Sequence, residues 1–205
     1  MPRYRKQTRS RLIQIAAREF DRVGYPKASL SAVCRQAGLT TGALYHYFDS
    51  KSELAGAILD DHMERIETMS DEVRSTTRSS VERLVYFMAA LSALLTEDYL
   101  VRAASRLAVD RTVAESSDLF VPWAEIATAL VNDGDMAEST YSVDTERLGS
   151  FATSIVIGAW FVMDPIDPAA RERLIGQMCA ALLIGALRVE DREHARAAIE
   201  RAFGC

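Results

Sequence analysis

Between Pro26 and Pro122 the chain contains no proline, and no run of alternating apolar and polar residues is sustained anywhere along it. Ala, Leu, Arg and Glu dominate instead, side chains that lose little freedom in a helix. With no strand period anywhere and no proline over residues 27–121 to interrupt a helix, such a chain is constrained to an all-α fold. Its 205 residues are 49% hydrophobic and 26% charged, which excludes a disordered chain and suffices for one or two domains with a buried core.

The apolar spacing marks the helices. Ile13, Ala16, Ala17, Phe20 and Val23 share one face of a helix from about Thr8 to Val23, closed by Gly24. Tyr25-Pro26 breaks the chain. A short helix follows from near Ser29 to Gly38, and Thr40 caps another over Thr41–Tyr47. Ser50 and Glu53 have the spacing of a capping box ahead of Leu54, Ile58 and Leu59. That fourth helix is expected to reach about Thr68, with 71–80 (DEVRSTTRSS) a helix end or loop. Helical patterns continue near 81–96, 98–114 and 118–132. Residues 132–142 (NDGDMAESTYS) read as the clearest loop. Helices at about 144–163, 168–188 and 190–203 complete the chain.

Charge separates the two ends. Residues 1–51 carry ten basic groups and three acidic ones, a net +7, while the remainder carries a net −12. All three lysines, Lys6, Lys27 and Lys51, lie in that first stretch. A basic head on an acidic body suits a head that meets a polyanion, although a solvated basic face would look the same by charge alone.

The segment Leu30–Lys51 reads LSAVCRQAGLTTGALYHYFDSK. Two short helices joined through Ala37-Gly38-Leu39-Thr40 are a helix-turn-helix pattern, with Gly38 permitting the turn. The second helix would turn Thr40, Thr41, Gly42, Tyr45 and His46 outward and Leu44 and Phe48 inward. Hydroxyls and rings at helical spacing beside Lys51 suit DNA phosphates and base edges.

At these residues the chain closely resembles TetR-type transcriptional regulators. TGALYHYFDSKSELAGAIL is similar to the family's signature and RLIQIAAREFDRVGY to its first helix, without a gap over 8–62. The resemblance implies a three-helix DNA-binding head over residues 1–51, extended to about 68 by a connecting helix, and a helical-bundle body over 52–205 that binds ligand and dimerises. Ser29, Thr40, Thr41, Gly42, Tyr45, His46, Tyr47 and Lys51 fall on its DNA-contacting positions. It implies that Tyr45, Tyr47 and Lys51 hold phosphates of a double-stranded operator while Thr41, Gly42 and His46 face base edges. Gly42 could instead serve helix packing, and Tyr47 the core.

In the body, VRAASRLAVD (101–110) and LFVPWAEIATALV (119–131) resemble the γ-butyrolactone receptor branch, actinobacterial regulators that bind small lipophilic signals. That branch has a pocket tryptophan where Trp123 stands. It usually has Lys where Thr41 stands and Tyr-Phe-His-Phe where Tyr45-His46-Tyr47-Phe48 stand, departures that leave the operator sequence and the exact ligand open. Phe87, Trp123 and Ile157, with Thr153 as a polar contact, are the expected lining for a lipophilic effector. Core filling is the alternative for Trp123. The helices at 144–163 and 168–188 are apolar on more than one face (Phe151, Ile155, Trp160; Leu174, Met178, Leu182, Ile184), as a homodimer interface would require.

Other chemistries find no constellation. No GxSxG, P-loop or GxGxxG occurs, and no catalytic residue, metal or cofactor is expected. Asp60-Asp61-His62 project from different sides of a helix and read as surface. Three cysteines without CxxC spacing fit reduced thiols. The longest uncharged stretch, Leu148 to Met163, is 16 residues and includes Ser and Thr, too short to span a membrane. The N-terminus has no apolar signal core, so a cytoplasmic protein is expected. The function expected is that of a ligand-responsive repressor released from a palindromic operator by a small lipophilic signal such as a γ-butyrolactone or butenolide. The alternatives are an all-helical lipid-binding protein or enzyme with an incidental basic N-terminus, and a TetR-type efflux or metabolic regulator with an unrelated ligand.

Overall fold

A computed structural model describes residues 2–110, 120–134, 141–162 and 167–204. Ten α-helices occur among them: α1 (Pro2–Val23), α2 (Leu30–Ala37), α3 (Thr41–Tyr45), α4 (Lys51–Thr76), α5 (Ser80–Glu97), α6 (Tyr99–Asp110), α7 (Phe120–Asn132), α8 (Thr145–Val162), α9 (Pro168–Ala186) and α10 (Arg192–Phe203). A 3-10 turn, Val189–Asp191, precedes α10. No single described helix is long and apolar enough to cross a membrane.

The local punctuation follows the sequence. Gly24 (φ +77°) and Gly38 (φ +68°) close α1 and α2 in the left-handed region, where a Cβ is strained. Ser29 Oγ accepts from the Ala32 N–H at 3.2 Å, Thr40 Oγ1 from Ala43 at 3.1 Å, and Ser50 Oγ from Glu53 at 3.0 Å. The Glu53 carboxylate reaches back to the Asp49 N–H, completing the cap.

Three helix ends differ from expectation. α1 starts at Pro2 rather than Thr8, since proline is tolerated in a first turn and nothing after it breaks the helix. α3 stops at Tyr45 because the next turn tightens, with the Tyr47 N–H donating to the Leu44 carbonyl at 2.8 Å. α4 runs past Thr68 to Thr76 because Ile66, Met69 and Val73 keep an apolar stripe buried. Part of the expected 98–114 helix and of the 132–142 loop lies outside the described residues.

The chain divides into two compact units. The first combines Met1–Arg65 with Glu97–Leu119, so α6 clusters with the N-terminal helices. Its core holds Phe20, Leu44, Phe48, Leu54 and Ile58, each at most 1% exposed. α1 packs on α2 and α6. Asp21 on α1 accepts from Arg102 Nε on α6 at 2.9 Å, with Arg106 Nε 3.5 Å from its other oxygen. Arg18 stands over the Tyr99 ring at 4.6 Å. Glu19 is buried and held by Arg22 at 2.8 Å. His62 also belongs to this core, contrary to the surface expected for Asp60-Asp61-His62: it is fully buried, with Nδ1 against the Leu59 carbonyl.

The second unit is Ile66–Thr96 with Phe120–Cys205. α7 lies along α8, and α9 joins α8 to α10. Gly149 allows the α7–α8 approach: a Cβ there would stand 2.3 Å from Thr128 Oγ1 and 2.8 Å from the Ala124 carbonyl. Buried Arg83 donates to the Thr77 and Arg74 carbonyls, satisfying groups that the end of α4 leaves without partners.

Candidate nucleic-acid interface and effector cleft

In the first unit, α2 and α3 meet at the Gly38 turn, and Leu44 and Phe48 anchor the end of α3 in the core. That anchoring exposes the opposite side. Thr40, Thr41, Gly42 and His46 are exposed, and Tyr45 presents 49% of its surface. Ser29 is exposed at the start of α2, and its oxygen lies 3.1 Å from Ser31 Oγ. Tyr47 is half-buried, consistent with either of its readings.

Lys51 is held more closely than the sequence indicates. Its ammonium donates to the Tyr25 carbonyl and stands 4.3 Å from the Tyr25 ring centroid. Burial lowers its pKa from the ordinary lysine range. Exposed Arg5, Lys6, Arg9 and Arg11 line the N-terminal half of α1. Arg5 donates to the His46 carbonyl at 3.2 Å, and the Arg9 guanidinium lies 5.0 Å from the Phe48 ring centroid. Arg5, ahead of Thr8, therefore reaches the end of α3. The charge of this first stretch is legible in the sequence but its placement is not, because α1 starts at Pro2 and not at the expected Thr8.

The second unit holds a cleft of about 830 Å³ between α7 and α8. Phe120, Val121 and Ala124 from α7 and Ile157 and Gly158 from α8 give it apolar walls, with Thr128, Ser150 and Ser154 among its polar groups. Of the expected lining, Thr153 and Ile157 are present and Trp123 and Phe87 are not. Both of the latter are fully buried in the core, as large apolar side chains on inward helix faces tend to be. Trp123 stands behind the wall, its ring edge-to-face with Phe120 at 5.4 Å. Thr153 is 2% exposed and its Oγ1 has no hydrogen-bond partner. An unpaired buried hydroxyl costs about 1–3 kcal/mol, which a ligand bearing a polar group would relieve. Glu125 and Glu146, also on the lining, carry no sequence signal for it, because exposed carboxylates on helices read as solvated surface.

A second, apolar groove of about 480 Å³ runs between α8 and α9, where Phe151 is 51% and Met178 36% exposed. Among the described residues no cluster of His, Cys, Asp and Glu has the makings of a metal site.

Comparison with known proteins places this architecture. Residues 12–58 match the family of bacterial regulatory proteins described as tetR. Over 128 residues the chain is 29% identical to the A-factor receptor protein of Streptomyces griseus, covering 62% of this chain and 44% of that one. The chain thus matches less than half the length of that relative. A γ-butyrolactone receptor described as ArpA-like superposes with a TM-score of 0.80 at 27% identity over 98% of both chains. CprB of Streptomyces coelicolor, in a structure with its operator sequence, does so with a TM-score of 0.76 at 27% identity over 97% of both. Residues 12–58 thus match the tetR-type helix-turn-helix domain, and over nearly its whole length the chain is similar in fold to the γ-butyrolactone receptors.

Proposed function

We propose that the protein is a transcriptional repressor that binds a palindromic operator as a homodimer and is released by a small lipophilic effector such as a γ-butyrolactone or butenolide. The observation that carries the DNA-binding part is the exposed face of α3 (Thr41, Gly42, Tyr45, His46) standing beside the basic N-terminal half of α1. Base edges are met from Thr41, Gly42 and His46. Phosphates are met from Tyr45, Tyr47, Ser29, Thr40 and Lys51, with the arginines of α1 adding a sequence-independent attraction.

The apolar groove on α8 and α9 supports the homodimer, since Phe151 and Met178 would be covered by a second copy. Two-fold symmetry then sets the recognition helices about 34–36 Å apart, one turn of duplex. The cleft beside Thr153 and Ile157 is the effector site of this reading, with Trp123 acting through Phe120. The effector releases DNA by preferring a body conformation in which the heads no longer match successive major grooves, and α4 is the lever. Such a protein acts in the cytoplasm, where its operator is.

Operator release titrated with a panel of butyrolactones and butenolides tests the reading. A Thr153→Val, Ile157→Ala protein should bind DNA normally and need at least tenfold more effector. Equal release by variant and parent would remove the cleft from the mechanism.

A further inference from the structure

The cleft between α7 and α8 contains two carboxylates, Glu125 on α7 and Glu146 on α8, and no described lysine, arginine or histidine among its lining residues. Its other distinctive group is Thr153, whose Oγ1 is buried, without a partner, and part of the same lining. One polar anchor sits deep among apolar walls, and two like charges stand exposed on the lining.

We propose that the cleft selects its effector by charge: it accepts an uncharged or cationic amphiphile and rejects the anion of the same skeleton. Thr153 is the hydrogen-bonding anchor, and Glu125 and Glu146 are the filter. This deepens the effector reading above and rests on it. A neutral ester or lactone oxygen accepts from Thr153 Oγ1, while the alkyl part lies against Phe120, Ala124 and Ile157. An acid of the same length brings a third negative charge beside Glu125 and Glu146, into a site with no described cation to balance it. Part of the walls is apolar and screens that repulsion less than water does.

The chemical consequence is specific. Water adds across the acyl C–O bond of a γ-lactone, opens the ring and leaves a hydroxyl and a carboxylic acid, which loses its proton at neutral pH. The opened anion differs from the lactone by one water less the proton released to solvent, and so by one negative charge. The filter makes the protein respond to the closed ring and ignore its hydrolysis product, so spontaneous ring opening ends the signal without export or further metabolism.

The experiment measures binding of γ-decalactone, 4-hydroxydecanoate and decylamine to the full chain by calorimetry at low and high salt. The expected order is amine at least as tight as lactone, and lactone about tenfold tighter than hydroxy acid at low salt, the gap shrinking as salt screens the exposed carboxylates. Glu125→Gln with Glu146→Gln should bring the acid to within about twofold of the lactone. Thr153→Val, which keeps the side chain's shape, should weaken lactone and acid together and leave their ratio unchanged. Equal binding of acid and lactone by the parent, a gap that survives the double glutamine substitution, or no binding of any of the three would overturn the proposal. Operator binding by the same variants is measured alongside. Its loss in the parent would sink the regulator reading, whereas its retention with an unselective cleft would sink the filter alone.

Discussion

The ammonium of Lys51 donates to the backbone carbonyl of Tyr25 and lies 4.3 Å from the centre of that residue's ring. Lys51 is the first residue of α4, where the helix dipole disfavours a cation. The carbonyl and the ring face compensate, tying the start of the connecting helix to the α1–α2 turn. Lys51 thus has a structural task besides the phosphate contact proposed for it. Lys51→Met, which keeps the stem, is expected to cost about 1–2 kcal/mol in thermal melting. It should also weaken binding to all DNA sequences alike and lower the salt slope by about one unit. A reduced melting temperature with an unchanged slope would leave Lys51 with the structural task only.

His62 gives the head a pH dependence. Burial lowers its pKa from 6.5 to about 4, against a smaller opposing effect of the Leu59 carbonyl. Between those values the unfolded chain binds a proton that the native chain excludes, so stability rises with pH across the window. Stability is lost as pH falls from 6.5 to about 4, by up to about 3 kcal/mol. Denaturant melts at successive pH values should show this loss in the parent and not in His62→Gln. Parallel curves for the two would contradict it.

Gly149→Ala should destabilise the body by about 1–3 kcal/mol, as overpacked sites do. Removing the Thr128 hydroxyl relieves only part of the clash, since the Ala124 carbonyl, 2.8 Å from the new Cβ, belongs to the backbone. Thr128→Ala should therefore rescue Gly149→Ala incompletely. Full rescue in chemical denaturation would refute the backbone component.

Asp21 and Arg102 join α1 to α6 at 2.9 Å with their side chains 16% and 21% exposed. A double-mutant cycle with Asp21→Asn and Arg102→Gln should return a coupling of about 1 kcal/mol, more than a surface pair gives because both partners are largely covered. Additive effects would show that the pair is screened like an exposed one.

The helical class, the caps at Thr40 and Ser50, and the inward turn of Leu44 and Phe48 were legible because each depends on a few neighbouring residues. The junction of α1 with α6 was not: Asp21 and Arg102 lie 81 positions apart, and nothing local pairs them. Asp60-Asp61-His62 read as surface because adjacent residues project from different sides of a helix, yet that same divergence carries His62 inward. Trp123 read as a pocket residue through the resemblance to the γ-butyrolactone receptors and Phe87 as aromatic lining, yet both are large apolar side chains and both are buried in the core. The cleft is instead walled by smaller side chains on the other side of α7, where composition carries little signal.

DNA binding by the exposed face of α3 is the central claim, and a competition gel shift of the full chain with fragments of the DNA flanking its own gene measures it most directly. One fragment should give a discrete, salt-sensitive complex that survives excess random DNA, and the Tyr45→Ala, Lys51→Ala protein should lose it while remaining folded by circular dichroism. Equal retention of all fragments, or an unchanged complex with the double substitution, would contradict the assignment.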